Sequence, residues 1–131
     1  DFQIDFAAFR QRINRHTKAV IVNSPNNPSG VVYSAGVIKE LAAILEEKSA
    51  EFGRAIFLIA DEPYREIAYD GVEVPYLSRY YKNTLVCYSY SKSFSLPGER
   101  IGYIVIPDEI TGFSKVYGAI AGAAAVLAFN A

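Results

Sequence analysis

The sequence predicts an α/β fold with an open, mostly parallel sheet and flanking helices. Four short apolar runs, at residues 18–23, 55–60, 84–88 and 102–106, are rich in the residue types that strands favour. A helical pattern joins the first two runs, as the crossover between parallel strands requires. Because the first run is continuously apolar, we expect its strand to be covered on both faces, and the second run predicts another buried strand. Only a short loop precedes the fourth strand, so we expect it to pair antiparallel with the third.

The helices are predicted from apolar spacing and from capping residues. Residues 2–15 repeat apolar side chains at intervals of three and four, which predicts a short amphipathic helix. The crossover helix is predicted to begin after Ser34, a good N-cap, and to end at Gly53. Residues 65–82 have little periodicity and are left unassigned.

Composition excludes several classes of protein. With 131 residues, 51% hydrophobic and 21% charged, the sequence is that of one ordinary globular domain. A formal charge of −1 with scattered basic residues gives no support to nucleic-acid binding. The single cysteine, Cys87, cannot form an internal disulfide, and the acidic N-terminal segment is unlike a signal peptide. We therefore expect a cytoplasmic protein.

The C-terminal residues 116–131 carry no charge and are dominated by Ala and Gly. This segment is shorter than the roughly 20 residues that a membrane-spanning helix needs, so we expect no contact with a membrane. The sequence also contains no methionine. We interpret it as part of a longer protein, in which residues 116–131 form a helix that other segments bury.

Polar groups follow three successive predicted strands. Asn26 and Asn27 follow the first, Asp61 follows the second, and residues 89–92 with Lys92 follow the third. In an open parallel sheet, ligands bind at the carboxyl ends of the strands. We therefore expect an amide, a carboxylate and an amine to meet at one edge of the sheet.

Lys92 is a candidate nucleophile, and its neighbours are candidate phosphate ligands. An amine becomes nucleophilic when desolvation or neighbouring charge lowers its pKa. Ser89 and Ser91 supply hydroxyl groups, and Arg100 follows Lys92 by eight residues with a guanidinium that can bind phosphate. The alternatives are a solvated Lys92, serines that only form a turn, and an Arg100 that pairs with Glu99 at the surface.

Asp61 closes an apolar strand, where a carboxylate is costly to bury unless it meets a cation. A protonated heterocyclic nitrogen would be such a cation. The alternative is an aspartate that caps a helix or forms a turn. Tyr64 and Asn27 can donate to a phenolate oxygen, or they can simply pack and stabilise their own segments.

Other site classes find no support in the sequence. One histidine, His16, and one cysteine, Cys87, are too few ligands for a metal site, so we predict none. There is no Gly-x-Ser-x-Gly elbow for a serine nucleophile. The glycines do not form a dinucleotide-binding fingerprint either.

Three motifs carry a resemblance to a known family. They are Asn-Asn-Pro-Ser-Gly at residues 26–30, Asp-Glu-Pro-Tyr at 61–64, and Ser-Tyr-Ser-Lys at 89–92 with Arg-Ile-Gly-Tyr at 100–103. Together, in this order, they resemble the pyridoxal-phosphate-dependent aminotransferases of class I/II, which have the aspartate aminotransferase fold type I. The resemblance implies that residues 1–131 form a single partial domain, the C-terminal half of the large domain, without the rest of that domain or the small domain.

The resemblance also implies catalytic roles. Lys92 would form a Schiff base with the aldehyde of pyridoxal 5′-phosphate. Once the substrate had displaced it, the free amine would transfer a proton as general base and acid. Asp61 would pair with the pyridinium nitrogen and keep it protonated.

Further cofactor contacts follow from the same resemblance. Tyr64 and Asn27 would hydrogen-bond the phenolic oxygen of the ring, and Asn27 would also lie near the substrate carboxylate. Pro63 would lie against one face of the ring. The phosphate would be bound by Ser89, Ser91 and Arg100.

The activity that the resemblance implies is amino-group transfer between an amino acid and a 2-oxo acid, in a parent enzyme that is a homodimer. Two alternatives stay open: a pyridoxal-phosphate lyase or decarboxylase on the same fold, and a non-catalytic aminotransferase-like sensor. The presence of Lys92, Asp61 and Arg100 argues against the sensor. Glu99 departs from the larger apolar residue usual in the family, so we expect the loop before Arg100 to differ. Since other family site elements lie outside this sequence, we expect the fragment alone to be inactive.

Overall fold

A four-stranded sheet organises residues 2–127, the part of the chain that this computed structural model describes. In chain order the helices and strands are α1 (Phe6–Arg12), β1 (Ala19–Asn23), α2 (Ala35–Phe52), β2 (Phe57–Asp61), β3 (Thr84–Ser89), α3 (Tyr90–Ser93), β4 (Gly102–Val105) and α4 (Phe113–Leu127). Two 3₁₀ turns, Arg65–Ile67 and Leu77–Arg79, lie in the connection that the sequence left unassigned.

The sheet confirms the predicted fold class. Its strand order is β1-β2-β3-β4, with β1, β2 and β3 parallel and β4 antiparallel to β3. In this register Asn23 lies opposite Asp61, and Asp61 lies opposite Cys87. The carboxyl ends of the three parallel strands therefore meet at one edge, which we call the carboxyl edge.

Helix ends follow local capping. As predicted, the Ser34 side chain accepts a hydrogen bond from the backbone N–H of Val37, and Gly53 ends α2 with a left-handed φ of 65°. The predicted helix at residues 2–15 is wrong in extent. It begins only at Phe6, because the Asp5 side chain caps it, and it ends where Ile13 becomes extended.

The core lies on one face of the sheet. Apolar residues of α2, including Leu41 and Leu45, pack there against Val22, Leu58 and Ala60. The expectation that the first strand is covered on both faces is wrong for β1 within residues 2–127. Val22 is 6% exposed, but Ile21, which points to the opposite face, is 70% exposed.

The predicted C-terminal helix is present as α4, although it begins earlier, at Phe113. No residue in its described span is buried. Residues 128–131 of the prediction lie outside the described part of the chain. Among residues 2–127, no helix combines the length and the apolar character needed to cross a membrane.

The close approach of β4 to β3 generates a prediction at Gly102. This residue pairs with Ser89, and a Cβ built on it would lie 2.4 Å from the carbonyl oxygen of Tyr88. We expect Gly102→Ala to destabilise the full-length protein by about 1–3 kcal/mol, as overpacking does. Urea unfolding measures this. Gly98→Ala is the control, since nothing lies within 4 Å of the added Cβ; equal midpoints for the two variants would contradict the close approach.

Candidate active site

Asn23, the last residue of β1, connects the carboxyl edge to the loop that follows it. Its Nδ2 donates to the backbone oxygen of Asp61 at 2.9 Å and to Oδ2 of Asp61 at 3.2 Å. Its Oδ1 accepts from the backbone N–H of Asn27 at 2.8 Å and from Nδ2 of Asn26 at 3.4 Å. One amide therefore fixes the position of the Asn27 loop relative to the carboxylate of Asp61.

The sequence analysis gave Asn23 no role beyond its place in a strand. Its importance depends on lying directly opposite Asp61, and this register is a property of strand pairing. The available signal was its position: a polar residue that ends an apolar strand, just before a turn-rich loop.

The structure brings three of the predicted site residues into one cleft. Nδ2 of Asn27 donates to the hydroxyl oxygen of Tyr64 at 3.0 Å, and Nζ of Lys92 lies 5.8 Å from the centroid of the Tyr64 ring. All three side chains line a cleft of ≈ 530 Å³. Lys92 is exposed to solvent, while Tyr64 is half-buried.

Asp61 is a carboxylate that the described residues leave without a cation. It is half-buried, and burial raises the pKa of its side chain. None of the three ion pairs formed within residues 2–127 includes it. Burial also raises the pKa of Cys87, which lies opposite in the register, and the charge of Asp61 adds to that effect. A protonated heterocyclic nitrogen would supply the missing positive charge and donate a hydrogen bond, so this acceptor carboxylate fits a cationic ring.

Asp61 and Pro63 lie outside the cleft that Asn27, Tyr64 and Lys92 line. Pro63 is buried. The predicted contact of Pro63 with a ring face therefore requires that the ring extend from the cleft toward Asp61.

Ser89 and Ser91 lie together at the end of β3. The hydroxyl of Ser89 accepts from the backbone N–H of Ser91 at 3.2 Å, which caps α3, and donates to the Ser91 hydroxyl at 2.9 Å. The Ser91 hydroxyl consequently keeps its own proton for another acceptor. Both groups are half-buried, as expected for side chains that would donate to an anion.

Arg100 forms no hydrogen bond with Ser89 or Ser91. Its loop lies beside α3, since the backbone N–H of Tyr90 donates to the carbonyl of Ile101 at 3.1 Å. The guanidinium, however, donates to the carbonyl oxygen of Pro97 at 2.9 Å and is exposed. The alternative ion pair with Glu99 is not among those formed by the described residues.

An ion pair between Glu62 and Arg65 anchors the segment that carries Tyr64. Nη2 of Arg65 lies 2.6 Å from Oε2 of Glu62, and their side chains are only 12% and 2% exposed. The guanidinium also lies 3.8 Å from the centroid of the Tyr76 ring and donates to the carbonyl of Val74 at 2.5 Å. Burial raises the pKa of Glu62, although Arg65 opposes this. Sequence reasoning missed this ion pair. The spacing of three residues between Glu62 and Arg65 could have indicated it.

The chain folds as an α/β domain in which polar side chains meet at the carboxyl ends of parallel strands, the edge where open parallel sheets generally bind ligands. The sequence matches the family model for aminotransferase class I and II over residues 1–128. The chain belongs to this family, and the predicted family assignment is confirmed.

Three similar proteins place the chain within the family. A probable aspartate/prephenate aminotransferase of Aquifex aeolicus is 37% identical over 112 residues, which are 82% of this chain and 27% of that protein. The crystal structure of an amino transferase from Eubacterium rectale is 62% identical, with a TM-score of 0.95, over 98% of this chain and 32% of its own. A PLP-dependent aminotransferase from Streptococcus suis is 31% identical, with a TM-score of 0.67, over 88% and 29%. The chain thus spans 27% to 32% of these proteins.

Asp61 generates a prediction about stability and pH. Because burial raises the pKa of this acid in the folded state, ionising it destabilises the fold as pH rises through that pKa. Asp61→Asn should therefore raise the melting temperature of the ligand-free, full-length protein at neutral pH. The gain should vanish below the unfolded pKa of about 3.9, where the acid is protonated in both states.

Thermal scans of both proteins across pH measure the effect. Asp108→Asn, at an exposed position, is the matched control and should leave the melting temperature nearly unchanged. A lower melting temperature for Asp61→Asn at neutral pH would show that the folded protein already supplies a cation to this carboxylate.

Proposed function

We propose that the protein containing this chain is a pyridoxal-phosphate-dependent aminotransferase. It moves an amino group between an amino acid and a 2-oxo acid, and this chain supplies the C-terminal half of its large domain. One observation carries the proposal: Lys92, Tyr64 and Asn27 share a cleft, and Asp61, half-buried at the carboxyl edge, forms no ion pair within residues 2–127. Membership of the family supports it, as does the PLP-dependent aminotransferase of Streptococcus suis.

Asp61 would hold the ring nitrogen of the cofactor in its protonated form. A carboxylate that burial makes reluctant to ionise is stabilised when a positive charge arrives next to it. Asn23 orients this carboxylate through its bond to Oδ2, which leaves Oδ1 available to the ring nitrogen. The bound cofactor supplies the electron sink for chemistry at the α-carbon of the amino acid.

Tyr64 and Asn27 would orient the ring by hydrogen bonds to its phenolic oxygen. The hydroxyl oxygen of Tyr64 accepts from Nδ2 of Asn27, so the Tyr64 hydroxyl proton remains free to be donated. Asn27 has a second amide proton, which can reach the same oxygen or the carboxylate of the substrate. Because the hydrogen bond runs from Asn27 to Tyr64, both side chains keep a proton that they can donate to an acceptor in the cleft.

Lys92 would hold the cofactor covalently through Nζ at the aldehyde carbon, whose oxygen would leave as water. When free, Nζ would act on the substrate as a neutral amine, taking a proton from the α-carbon as a base and giving it, as an acid, to the former aldehyde carbon of the cofactor. The geometry supports this role because Nζ already lies close to Tyr64, which would contact the ring.

Ser89, Ser91 and Arg100 would bind the phosphate. The Ser91 hydroxyl has a free proton, and Ser89 can exchange its donation to Ser91 for one to a phosphate oxygen. The guanidinium of Arg100 would leave the carbonyl of Pro97. This exchange costs little, because the guanidinium is exposed and a charge-assisted bond replaces a bond to a neutral carbonyl.

We further propose a homodimeric, cytoplasmic enzyme. The dimer follows from the resemblance to the family. The compartment is supported by Cys87, a half-buried thiol that is free within residues 2–127, as cysteines of reducing compartments usually are.

Reductive trapping tests the proposal. The full-length protein is mixed with pyridoxal 5′-phosphate, reduced with borohydride and digested, and we expect the label on the peptide that contains Lys92. Lys92→Ala should lose the label and lower the transamination rate by at least about 10²-fold, the contribution of a positioned acid–base group. Lys82→Ala, which removes an exposed lysine, is the control.

The other outcomes point elsewhere. A label on a different lysine refutes the assignment of Lys92. A label on Lys92 without amino-group transfer to any 2-oxo acid favours a lyase or decarboxylase, and absence of any label favours the sensor.

A further inference from the structure

We propose that Tyr88 is a positioning residue that ties the turn carrying Lys92 to the turn carrying Tyr64. It does so through a chain of hydrogen bonds from Ser93 to Tyr88 to Glu66, which we call the Tyr88 relay. The inference rests on the proposed function, since it concerns the alignment of two residues of that site.

The relay has a defined direction. The hydroxyl of Tyr88 donates to Oε2 of Glu66 at 2.9 Å and lies 2.6 Å from the hydroxyl oxygen of Ser93. A phenol has a single proton, so once Tyr88 gives it to the carboxylate, the bond with Ser93 must be donated by Ser93. The order is therefore Ser93 to Tyr88 to Glu66, and each member holds the next.

The two ends of the relay adjoin the proposed site. Ser93 is the last residue of α3 and follows Lys92 directly. Glu66 lies in the 3₁₀ turn Arg65–Ile67, two residues after Tyr64. The relay thus joins segments that leave the sheet from different strands, beyond the last backbone pair between β2 and β3.

The ring of Tyr88 is held by two other rings. It stacks on Tyr103, which lies opposite in β4, with centroids 5.0 Å apart and planes at 22°. The ring of Tyr90 packs in a T-shaped arrangement with both, and its centroid lies 5.4 Å from that of Tyr88 and 6.0 Å from that of Tyr103. Burial raises the pKa of Tyr88, so its phenol stays protonated and remains a donor. The hydroxyl is therefore fixed in position independently of the two groups that it joins.

The relay contributes more to alignment than to folding stability. Glu66 is exposed, and polar contacts of exposed side chains contribute little to the free energy of unfolding. α3 has only four residues, so it cannot fix the position of Lys92 by itself. A displacement of reacting groups by about 1 Å can lower a rate by up to roughly 100-fold.

The test uses the full-length protein with bound pyridoxal 5′-phosphate. Tyr88→Phe keeps the ring stack and removes only the hydroxyl. We expect kcat to fall by about 10-fold or more while KM for the amino acid stays within about twofold, because alignment is lost and substrate binding is not. The visible circular dichroism of the bound cofactor, which reports its orientation, should change, and the melting temperature should not.

Two further variants separate the relay from a general packing effect. Glu66→Gln keeps an acceptor oxygen, so its kcat and dichroism should stay close to the wild-type values. Glu66→Ala removes the acceptor and should lower kcat and change the dichroism as Tyr88→Phe does. Ser93→Ala should lower kcat in the same direction, and the double variant with Tyr88→Phe should be no worse than either single variant. Ser93→Ala also serves if Tyr88→Phe fails to fold.

Tyr103→Phe is the matched control, since it removes a phenol hydroxyl from the same ring stack but outside the relay. Unchanged kcat and dichroism in Tyr88→Phe, or an equal change in Tyr103→Phe, would overturn the inference. Borohydride labelling distinguishes this failure from that of the proposed function. If the wild-type protein is labelled at Lys92 but Tyr88→Phe leaves kcat and the dichroism unchanged, only the relay is refuted. If the wild-type protein takes no label, the proposed function on which the relay rests is refuted.

Discussion

The register of three parallel strands is the constraint on which the site depends. Pairing of β1 with β2 sets Asn23 opposite Asp61, and pairing of β2 with β3 sets Asp61 opposite Cys87. The side chain of Asn23 then connects the sheet to the following loop, because its Nδ2 donates to Asp61 and its Oδ1 accepts from the backbone N–H of Asn27. A slip of one residue would turn Asp61 toward α2 and Ala60 toward the open face. The buried face of Leu58 and Ala60 thereby enforces the orientation of the carboxylate.

Two adjacent carboxylates at the end of β2 have different surroundings, which suit one to stabilising the fold and the other to binding a ligand. Glu62 is 2% exposed and has its own cation, since Arg65 lies three residues later and pairs with it at 2.6 Å. Asp61 points to the opposite face, and the described residues supply it with an amide but no cation. The paired acid anchors the turn of Tyr64, and the unpaired acid remains available to a positively charged ligand. Alternation along one strand assigns these two roles to neighbouring residues.

Local patterns predicted the scaffold well. The four strands, α2 with its caps at Ser34 and Gly53, and the antiparallel pairing of β4 all depend on features within a few residues of each other. Several contacts that sequence reasoning missed join side chains far apart in the chain, such as Asn23 with Asp61 and Tyr88 with Glu66. Their formation depends on register and rotamers, which composition and periodicity do not specify. Two other missed contacts, the Glu62–Arg65 pair and the bond of Arg100 to the carbonyl of Pro97, span only three residues and depend on side-chain rotamers.

The position of Lys92 is therefore a tertiary property rather than a local one. A four-residue helix cannot stabilise itself, because its nucleation cost exceeds the gain from so few internal hydrogen bonds. What fixes α3 is its surroundings: the Ser89 cap at its start, the bond from Tyr90 to Ile101 at its side, and the bond from Ser93 to Tyr88 at its end. Two of these contacts come from β3 and one from the loop before β4, while the turn after β2 acts through the bond between Glu66 and Tyr88. The amine is placed by β3, by the loop before β4 and by the turn after β2 acting together, which is why a lysine motif alone does not specify a site.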